Sequence, residues 1–245
     1  MFVTLRLRRN EGLAKNIVIV VGDGMSLSTV AAARIYKGQR AGRDGPSSRL
    51  TWEAFPHFGL SKTYCLDAMV PDSSSTASAI FSGVKTNYYT VGFDASIVRN
   101  NPHSQVNASR VETVLDWAQA AGMRTGIVTT TRITHATPSA LYAKTAQRDW
   151  ECATKMPTDR PAAALDIASQ LVELAPGRDV DVVLGGGLSA FMPENFQVAK
   201  PEDYFSRSRT SRSTAPPLIY LPFYSKPRSL NDSPHSNRIY VFFSK

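Results

Sequence analysis

The chain has 245 residues, 42% of them apolar, and a formal net charge of +8. That is enough for one large domain or two small ones with a sizeable core. No apolar run of the roughly 18 residues needed to cross a bilayer occurs, and the two cysteines, Cys65 and Cys152, exclude a Cys-rich metal site and leave at most one internal disulfide.

The opening segment, MFVTLRLRRNEGLAKN, is basic but has no apolar core, so it does not read as a signal peptide. Asn16 to Gly22, NIVIVVG, is a continuous β-branched run ending at glycine, the pattern of a strand buried on both faces. Ser26 to Gly38 is Ala-rich and reads as a helix. Phe58 to Tyr64 reads as a second strand, and Ser73 to about Val84 as a helix. Arg110 to Ala121 has an amphipathic helical stripe of Val111, Val114, Leu115 and Ala118, closed by Gly122. Thr125 to Thr131 reads as a strand, Ala162 to Leu174 as a helix, and Asp181 to Gly185 as a short buried strand. Strands alternating with helices imply an α/β fold, a mostly parallel central sheet flanked by helices, over residues 1–205.

From Ser206 to Lys245 the composition changes to a Ser/Pro-rich text in which seven basic residues face only Asp232. The body before it is nearly balanced in charge. This tail reads as irregular, unable to bury a core of its own, although IYLPFY and IYVFF have the composition of isolated strands. Without aromatic and basic residues interleaved, its charge reads as a solvated arm, and no nucleic-acid partner is expected.

In an open parallel sheet, ligands bind beyond the carboxyl ends of the strands. Asp23 lies one residue past the first strand, in V-G-D-G-M. By itself it reads as a turn residue capping the next helix; the alternative is a carboxylate ligand for a cation. In V-P-D-S-S-S-T-A-S-A, Asp72 or Ser73 caps the following helix. A serine at a helix N-terminus also faces backbone N–H groups and the positive end of the dipole, a favourable seat for a phosphoryl group. A serine hydroxyl needs a base or a metal to become a nucleophile, and no base is evident nearby.

VGDGMSLSTVAAARIYKGQ, SKTY, VPDSSSTASAIFSGVKTN, GIVTTTRITHATPSALYA, QRDW and DVVLGGG occur in this order. Together they resemble the alkaline phosphatases, particularly the animal type, from about Ala14 to about Phe191. The resemblance implies phosphate monoester hydrolysis through a phosphoserine, with Zn2+ and Mg2+ as cofactors. Ser73 matches the nucleophile, which also touches a zinc. Asp23 matches the carboxylate bridging magnesium and zinc, and Thr137 the hydroxyl ligand of magnesium. His135 matches a position at the metal site, behind its direct ligands. Arg148 matches the arginine that clamps phosphate, with Asp72 orienting it. Ser78 stands where the family usually has threonine.

Animal members are commonly secreted or held on the outer cell surface by a lipid anchor, and they form homodimers. A membrane-attached, glycosylated, extracellular protein is implied by that kinship. Asn107-Ala108-Ser109 is a glycosylation sequon. The family's disulfide near that triplet is missing here, with Val106 and Ala164 near the two cysteine positions. The family's zinc-binding D-H-x-H context is absent from the four histidines, His57, His103, His135 and His235. The expectation is a truncated relative with impaired activity. The alternatives are a non-catalytic phosphate- or metal-binding remnant and a basic interaction protein acting through 206–245.

Overall fold

The computed structural model describes residues 14–192 and 237–244. Four strands, β1 (Asn16–Gly22), β2 (Arg124–Arg132), β3 (Val182–Gly186) and β4 (Arg238–Ser244), form one sheet in the order β1-β4-β2-β3. Every pairing is parallel. The α-helices are α1 (Leu27–Arg40), α2 (Ser73–Ser82), α3 (Ser104–Asn107), α4 (Val114–Ala120), α5 (Ala136–Ser139) and α6 (Ile167–Glu173). This is the α/β architecture expected from the alternating pattern.

The inner strand β4 comes from the basic tail. IYVFF is therefore not isolated: Asn16 to Gly22 of β1 pair with Arg238 to Ser244 on one side, and Arg124 to Thr129 of β2 with Arg238 to Phe243 on the other. Ile239 and Val241 are fully buried. Gly126 allows this approach, because a Cβ there would lie 2.6 Å from the Tyr240 ring. IYLPFY lies outside the described residues.

Three expectations are corrected. Phe58 to Tyr64 is not a strand, and Phe58 and Leu60 project into solvent. β1 is not buried on both faces. It is an edge strand whose Ile19 and Val21 pack on the core while Val18 and Val20 are exposed, so it alternates as a half-covered strand does. The helix expected from Arg110 begins at Val114, because Thr113 and Asp116 form a capping box there. Asp116 accepts from the Thr113 amide at 2.7 Å. Cys65 and Cys152 are both free thiols.

The main core joins the sheet to the helices through Ile127, Val183 and Val241 from the strands, Ala77 and Phe81 from α2, Leu115 from α4, and Ile167 and Leu171 from α6. α2 packs on α5, and the left-handed Gly83 (φ 74°) closes α2. Gln170 of α6 pins the segment after α5. Its amide accepts from Lys144 N at 2.8 Å and donates to the Lys144 carbonyl at 3.0 Å.

The Lys144 side chain is a costly feature beside this core. Its Nζ is buried and meets no hydrogen-bond partner among the described residues. Burial lowers its pKa to about 8, against the opposing pull of Asp116 and Glu112, with Arg110 adding to the depression. The unfolded chain thus holds more protons than the folded one between pH 8 and 10.5, so stability rises with pH across that window. The charged amine costs about 3 kcal/mol at neutrality. Lys144→Met is expected to stabilise the protein at pH 7 and to lose most of that advantage near pH 10, read by urea unfolding at both values.

Candidate functional site

All strands being parallel, their carboxyl ends share one edge of the sheet, and the segments after β1 and β2 meet there. Asp23 follows β1 directly. It is not the cap of α1; Ser26 is, its Oγ accepting from Thr29 N at 3.2 Å. Asp23 is left to point across the edge. Its Oδ1 accepts from Ser73 Oγ at 2.9 Å and its Oδ2 from Thr137 Oγ1 at 3.4 Å. These partners are 50 and 114 residues away in sequence, so only the fold brings them together.

Ser73 is the first residue of α2, and Asp72 is its N-cap. The cap is settled by the side chain: Asp72 accepts from Ser74 N at 2.9 Å and Ser75 N at 3.2 Å. The same carboxylate accepts from Arg148 Nη1 at 2.9 Å and from the Tyr89 amide at 3.0 Å. Burial alone would raise its pKa, but hydrogen bonds from Ser74, Tyr89 and Ser75 hold it below the ordinary value. It therefore remains a carboxylate beside the guanidinium.

Arg148 reaches from the loop after α5 with its second amino group 3.2 Å from His135 Nε2. An arginine only donates, so Nε2 presents its lone pair and the neutral His135 ring carries its proton on Nδ1. His135 and Thr137 are both buried, at the N-terminus and second position of α5. Two hydrogen-bonded sets thus lie at the sheet edge, Ser73–Asp23–Thr137 and Asp72–Arg148–His135, and they adjoin where Asp72 precedes Ser73 in the chain.

Two members of this region were not singled out by the sequence. Tyr89 holds both Asp72 and Arg148 through its backbone, its N–H donating to the Asp72 carboxylate and its carbonyl accepting from Arg148 N at 2.9 Å. A tyrosine codes for no such duty, so no signal marked it. Glu151, three residues past Arg148, accepts from Arg132 Nε at 2.8 Å, Arg132 Nη2 at 2.9 Å and Thr134 Oγ1 at 2.6 Å. It ties the segment carrying His135 and Thr137 to the one carrying Arg148. Only its place beside Q-R-D-W hinted at that.

The donors in this cluster are one carboxylate and two hydroxyls around Asp23, all hard oxygens, and they suit part of a magnesium shell. Zinc prefers nitrogen and sulfur. Among the described residues no group of three or more His, Cys, Asp or Glu gathers, and the described residues do not fit a zinc pair.

A family model described as alkaline phosphatase matches residues 14–211. Alkaline phosphatase 4 of Drosophila melanogaster is 51% identical over 177 residues, covering 72% of this chain and 29% of its own. A membrane-bound alkaline phosphatase of Bombyx mori is 46% identical over 189 residues, covering 76% and 34%. The chain thus spans about a third of the length of these relatives. In fold it is similar to a solved alkaline phosphatase mutant from the Antarctic bacterium TAB5 with Mg bound in its M3 site. The TM-score is 0.59 at 20% identity, over 94% of this chain and 64% of the other.

Burial would raise the Glu151 pKa, but the hydrogen bonds of Arg132 and Thr134 and the charges of Arg132 and Lys155 bring it down to about 2. Its folded pKa lies below the ordinary 4.5, so its contribution to stability is complete above that pH and is lost as pH falls toward 2. Glu151→Gln is expected to flatten the acid limb of the stability–pH curve between pH 5 and 2. An unchanged acid limb in thermal unfolding would remove Glu151 from this role.

Proposed function

The chain belongs to the alkaline phosphatase family, and from that premise we propose that its Asp23–Ser73–Arg148 cluster serves the hydrolysis of phosphate monoesters. The observation that carries this reading is the 2.9 Å contact between Ser73 Oγ and Asp23 beside a guanidinium fixed by Asp72. In it a hydroxyl at a helix N-terminus, a carboxylate and an anion clamp converge on one place.

Arg148 receives two phosphate oxygens on its guanidinium fork while Asp72 keeps that fork from turning. Ser73 Oγ gives its proton toward Asp23 and attacks phosphorus in line with the departing ester oxygen. The P–O bond to the alcohol breaks as the bond to Ser73 forms, and the alcohol takes a proton from solvent. Water then attacks the phosphoserine and gives up a proton to solvent, the P–O bond to Ser73 breaks as Asp23 returns its proton to Ser73 Oγ, and inorganic phosphate departs. Asp23, Ser73 and Thr137 are the residues that would hold a magnesium ion, in keeping with the magnesium of the TAB5 enzyme. Such an ion supplies positive charge that lowers the pKa of hydroxyls near it. The zinc ligands of the expected set are not gathered among the described residues, so turnover by this chain alone is expected to be low.

The Bombyx mori relative is membrane-bound, which supports attachment of this chain to a membrane. Among the described residues no helix is long and apolar enough to cross a membrane. Asn107 is exposed at the end of α3 and open to a glycan in that setting.

Phosphate binding tests the site directly. Arg148→Ala is expected to weaken inorganic phosphate at least about tenfold by titration calorimetry, the loss of a charge-assisted pair of hydrogen bonds. Equal affinity in the variant would refute the clamp. With zinc and magnesium added, Ser73→Ala should abolish whatever phosphatase turnover the chain shows. Turnover that survives it would remove Ser73 as nucleophile.

A further inference from the structure

Asp72 holds Arg148 at its guanidinium and the Tyr89 carbonyl holds it at its amide, but neither contact fixes the path of the two residues before it. Those two hang on a separate stretch, 97–105. The Ala146 amide donates to Gln105 Oε1 at 2.7 Å, and the Ala146 carbonyl accepts from Asn100 N at 3.1 Å. Gln147 Nε2 donates to Asn100 Oδ1 at 2.6 Å. Gln105 and Gln147 are buried, so little water competes for these bonds. Asn100 stands at φ 60°, in the left-handed region that asparagine tolerates, and from there its amide and its side chain both reach the same loop.

The stretch is itself stiff. Asn101 Oδ1 accepts from the His103 amide at 3.0 Å, and Ser104 Oγ donates to the Asn101 carbonyl at 2.7 Å. Asn87 Nδ2 donates to the Ile97 carbonyl at 2.8 Å. Ile97 and Phe93 share a second buried cluster with Ala146 and Trp150, so apolar packing holds the chain on both sides of Arg148. A rigid fork selects an anion by geometry, and a shift of about an ångström in its support loosens it. We propose that Gln105 and Asn100 are positioning residues for the anion clamp, seating the Arg148 loop through Ala146 and Gln147 and so setting its affinity for phosphate. The proposal rests on the reading of Arg148 as a phosphate clamp, and adds to it two residues that act through the loop without touching the anion.

Two readouts on the full chain test it. One is inorganic phosphate affinity by titration calorimetry; the other is the rate at which phenylglyoxal labels Arg148, followed by peptide mass spectrometry. Gln105→Met and Asn100→Gly each remove an acceptor and are expected to weaken phosphate, and to speed labelling, about fivefold. Gln105→Glu and Asn100→Asp keep the acceptor oxygen and should stay within about twofold of the parent. Glycine suits the left-handed backbone at position 100, so Asn100→Gly should melt close to the parent, which separates loss of the hook from misfolding. Gln119, which donates to Thr125 Oγ1 and to the Pro176 carbonyl away from this loop, is the control. Gln119→Leu should lower the melting temperature and leave both readouts unchanged. Phosphate affinity that is unchanged in Gln105→Met and Asn100→Gly overturns the proposal. So does an equal loss in the acceptor-keeping variants or in Gln119→Leu. If Arg148→Ala binds phosphate as the parent does, the clamp reading fails by itself. The labelling rate then decides the seat: faster labelling in the two hook variants supports it, and an unchanged rate overturns it.

Discussion

The Asp72 carboxylate is where the demands of helix, loop and guanidinium coincide. It accepts from the Ser74 and Ser75 amides and hydroxyls, from the Tyr89 amide and from Arg148. A buried carboxylate is costly, and these donors offset the loss of water. Its partners have different tasks. The two amides belong to the first turn of α2 and fix the direction in which Ser73 leaves the helix. The guanidinium belongs to a loop 76 residues away and is held by this carboxylate in one orientation. One charge therefore holds the start of α2, with Ser73, against the loop that carries Arg148.

The sheet supplies the other half of the arrangement. Parallel strands deliver their carboxyl ends to one edge, so residues far apart in sequence meet without long side chains. Asp23 needs only one residue of turn after β1 to face Thr137, which follows β2. Between β1 and β2 lies β4, paired along its length with both. The separation of Asp23 from Thr137 thus depends on a strand from the far end of the chain. Glu151, three residues past Arg148, ties that loop to the segment after β2 through Arg132 and Thr134.

Features with a local cause were legible. NIVIVVG reads as a strand because β-branched residues suit little else, and Asp72 reads as a cap because its side chain reaches the next amides. Features set by distant neighbours were not. The exposure of Val18 and Val20 depends on what covers β1, which no run of seven residues records. β4 is separated from β3 by a long polar and proline-rich stretch, so its partners leave no local pattern. Phe58 to Tyr64 has strand composition, but the described sheet gives it no partner, and a strand forms only where a ladder is available. The residues that gather at the sheet edge were marked by the ordered motifs rather than by any single residue. Tyr89 was hidden because a left-handed tyrosine has no signature in sequence.

The coupling between Asp72 and Arg148 tests this account most directly. Asparagine caps a helix about as well as aspartate, so Asp72→Asn removes the charge and keeps the cap. A double-mutant cycle of Asp72→Asn with Arg148→Met, measured by denaturant unfolding at neutral pH, should give a coupling energy of about 1–3 kcal/mol. Additivity within about 0.3 kcal/mol would contradict it, since the start of α2 and the Arg148 loop would then be held independently.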